Sequence, residues 1–226
     1  MHTAHEPAFR VEAVLVPSGE VQLAGDLIRA GEDAPLVLFA HGSGSSRTSP
    51  RNRQVARRLN EAGFSTLLLD LLTAQEEAID QRTRQHRFDT ELLARRMVHA
   101  AQWAATHGNL GPVPLGFFGA STGSAAALIA AARLGGRVQA VVSRGGRPDL
   151  AGGALTLVTA ATLLIVGGHD HGVIELNQEA LRHLHGPREL VLVPGATHLF
   201  EEPGALEQVA GLAVAWFERY LVRPGR

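Results

Sequence analysis

The stretch Pro114-Leu-Gly-Phe-Phe-Gly-Ala-Ser-Thr-Gly-Ser-Ala-Ala-Ala-Leu128 reads as a buried apolar strand, a turn and a helix of small residues. The turn is Gly119-Ala-Ser121-Thr-Gly123. G-x-S-x-G marks a sharp strand-to-helix turn that lifts a serine hydroxyl out at the top of a sheet. Both glycines have a steric reason. The turn forces a strained backbone at Ser121, and a Cβ at 119 or 123 would collide with the neighbouring strand or helix. A short pattern counts only in its structural context, so the flanking chain decides the reading.

Upstream and downstream of the turn, the runs Leu36–Ala40, Ser65–Leu69, Val138–Val142, Leu163–Val166 and Leu190–Val193 are nearly continuous in apolar residues. That is the pattern of strands buried on both faces in a parallel sheet. Helical spacing of apolar residues recurs over 51–62, 88–106, 122–134, 173–185 and 206–221, with Gly108 as the expected stop of the second. Val11–Val16 and Val21–Ile28 flank Pro17-Ser-Gly19 and predict an antiparallel hairpin. Thr73 to Arg87 is polar and charged, with few core candidates, and is expected to be an insertion or mobile loop with room for a short helix. Strands alternating with helices predict an α/β fold, a parallel sheet with helices on both faces. Without repeat, low-complexity tract or linker, residues 1–226 are expected to form a single domain.

Composition removes several function classes. Of 226 residues, 45% are hydrophobic and the net charge is −1, so no basic footprint for nucleic acid or acidic membranes is present. No apolar run approaches the roughly 20 residues needed to cross a bilayer. The first ten residues lack the apolar core of a signal peptide. With no cysteine, disulfides, thiolate nucleophiles and cysteine-held metals are all excluded. A cytoplasmic location is expected, with no nucleic-acid or membrane partner.

Ligands of such sheets bind at the carboxyl ends of the strands. The loops carrying His41, Asp70, Ser121, Arg144, Asp170 and His198 all follow predicted strands. A serine hydroxyl is a weak nucleophile that needs a base in hydrogen-bond reach, and the base needs an orienting acid. Ser121, Asp170 and His198 follow in the chain order expected for a nucleophile on this turn. The reading makes Ser121 the nucleophile, His198 the general base and then acid, and Asp170 the carboxylate that sets the imidazole tautomer. Asp149, after the preceding strand, is the alternative acid. The oxyanion hole is expected from the N–H groups of Thr122 and Ser43. His169 and His171 beside His198 raise a metal site, but no further spaced ligand completes one. No metal and no cofactor is expected. His41 is expected to be structural, packed beneath the oxyanion turn. Gly42-Ser-Gly-Ser-Ser46 looks like a phosphate cradle but lacks the third glycine and the lysine of the known phosphate loops.

On His41-Gly-Ser-Gly44, Gly119-Ala-Ser-Thr-Gly123, Gly167-Gly-His-Asp170 and Pro194-Gly-Ala-Thr-His198, the chain resembles the α/β-hydrolase fold, and within it the dienelactone-hydrolase-like serine hydrolases. The resemblance runs from Leu36 to Leu221. It implies an eight-stranded, mostly parallel sheet that hydrolyses esters or related acyl bonds without a cofactor. True dienelactone hydrolases carry a cysteine nucleophile where this chain has Ser121, which puts a dienelactone substrate in doubt. Ser143-Arg-Gly-Gly-Arg-Pro-Asp149 is also similar to hydrolase regions fused to phosphoribosyltransferases, although no such domain is read within these residues.

Arginine presents a planar fork suited to carboxylate or phosphate. Arg144 is therefore a candidate substrate-binding residue, with an ion pair to Asp149, Asp170 or Asp70 as the equally weighted structural alternative. Arg51, Arg53, Arg57 and Arg58 are expected on a solvated helix face, and Glu76 and Glu77 at the surface. The short connection from Arg147 to Thr162 has no room for a large cap, so an open site for a small acyl substrate is expected. The resulting expectation is a serine carboxylic-ester hydrolase. The alternatives are an acyltransferase or perhydrolase on the same triad, or a binding module that kept the fold.

Overall fold

The middle of the sheet comes from short runs in which every residue is apolar or small. Strands β3 (Leu36–Ala40), β4 (Ser65–Leu69) and β5 (Leu115–Ala120) are buried at every position. The computed structural model describes residues 9–107 and 113–221. The hairpin forms as expected from β1 (Val11–Ser18) and β2 (Val21–Ile28), turning at Gly19 with φ +64°. With β6 (Val138–Arg144), β7 (Ala161–Gly167) and β8 (Arg188–Val193), the strands assemble in the order β1-β2-β4-β3-β5-β6-β7-β8. β1 and β2, and β2 and β4, pair antiparallel, and all later pairs are parallel. The parallel strands therefore end on one edge, and the chemically interesting loops leave from it.

Alternation along the strands divides the core in two. Val37, Phe39, Phe118, Ala140 and Val142 pack against α1 (Pro50–Glu61) and α6 (Ala205–Tyr220). Leu36, Leu38, Phe117 and Val141 pack on the other face against α3 (Thr90–Thr106) and α4 (Thr122–Leu134). The expected stop of α3 at Gly108 lies outside the described residues. α4 is buried from Thr122 to Ala131, and its alanines let it lie close on the sheet. α5 (His171–His183) adds Ala180 to the same layer. Between β6 and β7 there is a 3-10 segment, Pro148–Leu157, and no large cap. No helix among the described residues is long and apolar enough to cross a membrane.

Of the two expectations for segment 73–87, the structure shows the ordered insertion with a helix and not the mobile loop. Ala74–Thr83 is a helix, α2, opened by a capping box between Thr73 and Glu76. Asp80 is fully buried and accepts from the His86 and Arg87 N–H groups at 2.7 and 3.0 Å and from Arg87 Nε at 2.6 Å. Arg96 of α3, itself buried, donates to both Glu76 oxygens at 2.6 and 2.7 Å and to the Leu71 carbonyl at 2.6 Å. Charged residues anchor this segment in place of apolar ones, which is why hydrophobic patterning did not reveal it. Glu76 is accordingly no free surface residue.

Burial works against the charged form of Glu76, yet the hydrogen bonds from Arg96 and from the Thr73 N–H bring its pKa from 4.5 down to about 2. A carboxylate with a depressed folded pKa contributes stability above its unfolded value, and the contribution is lost as pH falls through the folded value. The contribution is complete above about pH 4.5 and fades toward pH 2. Wild-type protein is expected to lose stability more steeply across that window than Glu76→Gln, followed by circular dichroism under denaturant. Parallel stability curves would contradict the assignment.

Candidate active site

Ser121 sits between β5 and α4 with φ +50° and ψ −124°. A non-glycine residue at positive φ is held there by its surroundings. The Ser121 N–H donates to the Arg144 carbonyl at 3.2 Å, and the Ser121 carbonyl accepts from the Ser124 and Arg147 N–H groups at 3.0 and 3.1 Å. The expected steric reason for the glycines is found. A Cβ at Gly119 would stand 2.5 Å from Ser124 Cα, and one at Gly123 would stand 2.3 Å from the Ala40 carbonyl oxygen. The Ser121 side chain is half-buried at the turn.

The imidazole and the carboxylate meet because the loops after β7 and β8 are laced together. The Gly168 N–H donates to the Val193 carbonyl at 2.8 Å and the His169 N–H to the Ala196 carbonyl at 2.9 Å. A Cβ at Gly167 would lie 2.4 Å from the Ala196 oxygen, so the loops approach this closely only over a glycine. Asp170 Oδ2 and His198 Nδ1 are then 2.7 Å apart. With Nδ1–H donating to the carboxylate, Nε2 is the nitrogen left free. The His198 loop is fastened by Glu202 Oε1, which accepts from the Thr197 N–H and hydroxyl at 3.0 and 2.5 Å. His198 lies over the end of β6. Its Cε1 is 3.6 Å from where a Cβ on Gly145 would be, and Gly145 follows the residue whose carbonyl binds Ser121. Ser121, Asp170 and His198 are thus gathered at one edge. Asp149, the alternative acid, is held by Arg147 through bonds of 2.8 and 2.7 Å.

Of the two expected oxyanion donors, Ser43 has its N–H engaged within the protein. Its N–H donates to Thr122 Oγ1 at 3.0 Å, and the two hydroxyls lie 2.9 Å apart. The threonine hydroxyl reaches this N–H from the first turn of α4. The Ser43 hydroxyl also reaches the Arg87 carbonyl at 3.2 Å, so segment 73–87 fastens this loop. His41 has a structural role. Its Nδ1 lies 2.9 Å from the Gly42 carbonyl, and its Nε2 accepts the Leu71 N–H at 2.9 Å. Burial lowers its pKa, which favours this neutral form. A cavity of about 340 Å³ opens beside the loop, lined among others by His41, Arg47, Asp70 and Glu77.

Arg144 is the last residue of β6 and is 8% exposed. The expected ion pair is not formed with any of the three aspartates. Asp149 binds Arg147, Asp70 binds Arg47, and Asp170 binds His198. Of the α1 arginines, Arg53, Arg57 and Arg58 lie on the exposed helix face as expected, and Arg51 is partly buried. Arg53 pairs with Asp26 at 3.0 Å, and Arg51 pairs with Glu201 at 2.9 Å while its Nε is buried without a partner. Among the described residues, no three His, Asp or Glu side chains gather in a metal-binding arrangement. Sequence reasoning missed Asn177, whose Nδ2 donates to the Gly146 carbonyl at 3.0 Å and ties α5 to the loop after β6. A lone asparagine inside a helical pattern carries no signal for such a contact.

The architecture is that of the α/β-hydrolase fold. The profile of the dienelactone hydrolase family matches residues 31–219, and the chain belongs to that family. It is 56% identical to a dienelactone hydrolase of Anabaena variabilis, whose crystal structure superposes with a TM-score of 0.91 over 95% of this chain and 99% of that one. Est1E of Butyrivibrio proteoclasticus shares the fold at 16% identity, with a TM-score of 0.76 over 92% of this chain and 98% of its own. Proteins of two Mycobacterium tuberculosis strains, named as phosphoribosyl transferases, are 55% identical over 222 residues, 98% of this chain. The chain spans about half the length of these curated relatives, 49% of each.

Proposed function

We propose that the protein is a serine hydrolase that cleaves a carboxylic ester or related acyl bond through an acyl-enzyme. The observation that carries this reading is the 2.7 Å bond from His198 to Asp170 on the edge where the turn presents Ser121. His198 Nε2 takes the Ser121 proton as the hydroxyl attacks the acyl carbonyl, then gives it to the leaving alcohol. Water enters by the reverse sequence and frees the acid. Asp170 holds the tautomer and stabilises the imidazolium. The Thr122 N–H, in the first turn of α4, donates to the developing oxyanion with the positive end of the helix dipole behind it. Ser43 joins by exchanging the Thr122 hydroxyl for the substrate oxygen. The phosphoribosyl transferase name belongs to proteins about twice this length. The residues at this edge are those of acyl chemistry.

A fluorophosphonate probe tests the reading. The expected result is stoichiometric labelling of folded protein, mapped by peptide mass to Ser121 and suppressed by a competing ester. Folded protein that stays unlabelled, or is labelled elsewhere, would overturn it.

A further inference from the structure

Arg144 is a buried cation without a counter-ion among the described residues. None of its nitrogens makes a hydrogen bond to the described residues, and Nη1 is sealed from solvent and unsatisfied. The charge acting on it is another cation, Arg51. Burial, followed by this repulsion, lowers the Arg144 pKa to about 10, which still leaves the side chain charged at neutral pH. Arg51 Nε is likewise buried and unsatisfied. Taking a charge out of water without pairing it is among the most costly arrangements in a protein, and a like charge nearby adds to the cost.

Parity along β6 says where this happens. Ala140 and Val142 face the α1 and α6 layer, so Arg144, two residues on, faces it too, on the side of the sheet where Arg51 stands in the first turn of α1. The place adjoins the candidate active site. The Arg144 carbonyl accepts the Ser121 N–H, and the next residue lies against His198. Arg51 is already paired with Glu201 through Nη1, so an anion accepting from Arg144 Nη1 and Arg51 Nε would satisfy both buried nitrogens and give Arg144 the counter-ion it lacks. Guanidinium groups match the oxygens of carboxylate and phosphate in just this way.

We propose that Arg144 and Arg51 form a binding subsite for a carboxylate or phosphate group carried by the substrate. The carrier's identity rests on the Ser121 reading above; the subsite itself does not. The first measurement uses the Ser121→Ala protein, so that turnover plays no part. Its Tm is followed against succinate, inorganic phosphate and neutral succinamide at constant ionic strength. The expected result is a saturable rise with an anion but not with succinamide, lost in the added Arg144→Met variant and weakened in Arg51→Gln. In anion-free buffer Arg144→Met is expected to melt higher than its parent, because an apolar chain replaces an unpaired buried charge. A purely structural arginine predicts a lower Tm. If Arg144→Met does not fold, Arg51→Gln, at a side chain one-third exposed, carries the same comparison.

The second measurement is the ratio of kcat/KM for p-nitrophenyl hydrogen succinate to that for p-nitrophenyl butyrate. It is expected to exceed about tenfold in wild type and to fall to about one in Arg144→Met. No saturable anion effect together with a wild-type ratio near one overturns the subsite. Anion binding with a ratio that Arg144→Met leaves unchanged shows a free anion there and overturns the substrate assignment. Anion binding without turnover of any ester would sink ester hydrolysis while supporting the subsite.

Discussion

Replacing Ser121 by alanine is expected to lower kcat/KM on an activated neutral ester about ten-thousandfold or more. Removing one member of a nucleophile–base–acid unit disables the whole unit and leaves only the contribution of binding and oxyanion donors. The substitution isolates chemistry from folding. Alanine keeps the Cβ, so the strain of φ +50° at this turn is the same for both residues. The backbone bonds to Arg144, Ser124 and Arg147 do not involve the hydroxyl. Initial rates and a melting curve on the same preparation check both halves. A variant retaining more than about one part in a hundred of the activity would remove Ser121 from the role of nucleophile.

The second large effect is on stability. Gly123→Ala is expected to cost about 3 kcal/mol or more, because the added methyl falls on backbone that has nowhere to go. It would stand 2.3 Å from the Ala40 oxygen and 2.5 Å from the His41 oxygen, at the end of β3. Relief requires α4 to move away from the sheet, and α4 is buried along its first ten residues. For a chain of this size the loss corresponds to a fall in Tm of roughly 6–12 °C. Gly211→Ala is the control. That glycine lies in α6, exposed, with open space around its added Cβ, and alanine there is expected to stabilise by about 0.5–1 kcal/mol. Equal melting temperatures for the two variants would show that the close approach at Gly123 is not what holds this turn.

The parts of the fold that were legible in the chain are those with a local cause. β3 and β4 announced themselves because a strand covered on both faces must be apolar throughout. The turn at Ser121 was legible because only glycine tolerates the approach of α4 to β3 and β5. Segment 73–87 reads as either an insertion with a short helix or a mobile loop, because its anchors are charged side chains that apolar patterning does not register. Asp80 is fully buried, yet in the chain it looks like any surface aspartate. Ser43 was expected to offer its N–H to the oxyanion, and nothing in the chain says that a hydroxyl 79 positions away reaches that N–H. Arg144 was left with an ion pair as an even alternative because three aspartates followed neighbouring strands, and proximity in topology does not say which cation each one takes.

By itself, then, the sequence determined the order of strands and helices, the sharp turn at Ser121, and the edge to which Asp170 and His198 must come. These follow from apolar periodicity and from backbone sterics, which act over a few residues and are written locally. Only the tertiary structure decided the partners: Asp170 for His198, Arg147 for Asp149, Arg47 for Asp70, and none among the described residues for Arg144. Pairing between charges depends on distances of a few ångströms between residues far apart in the chain. Those distances exist only once the strands have been laid side by side.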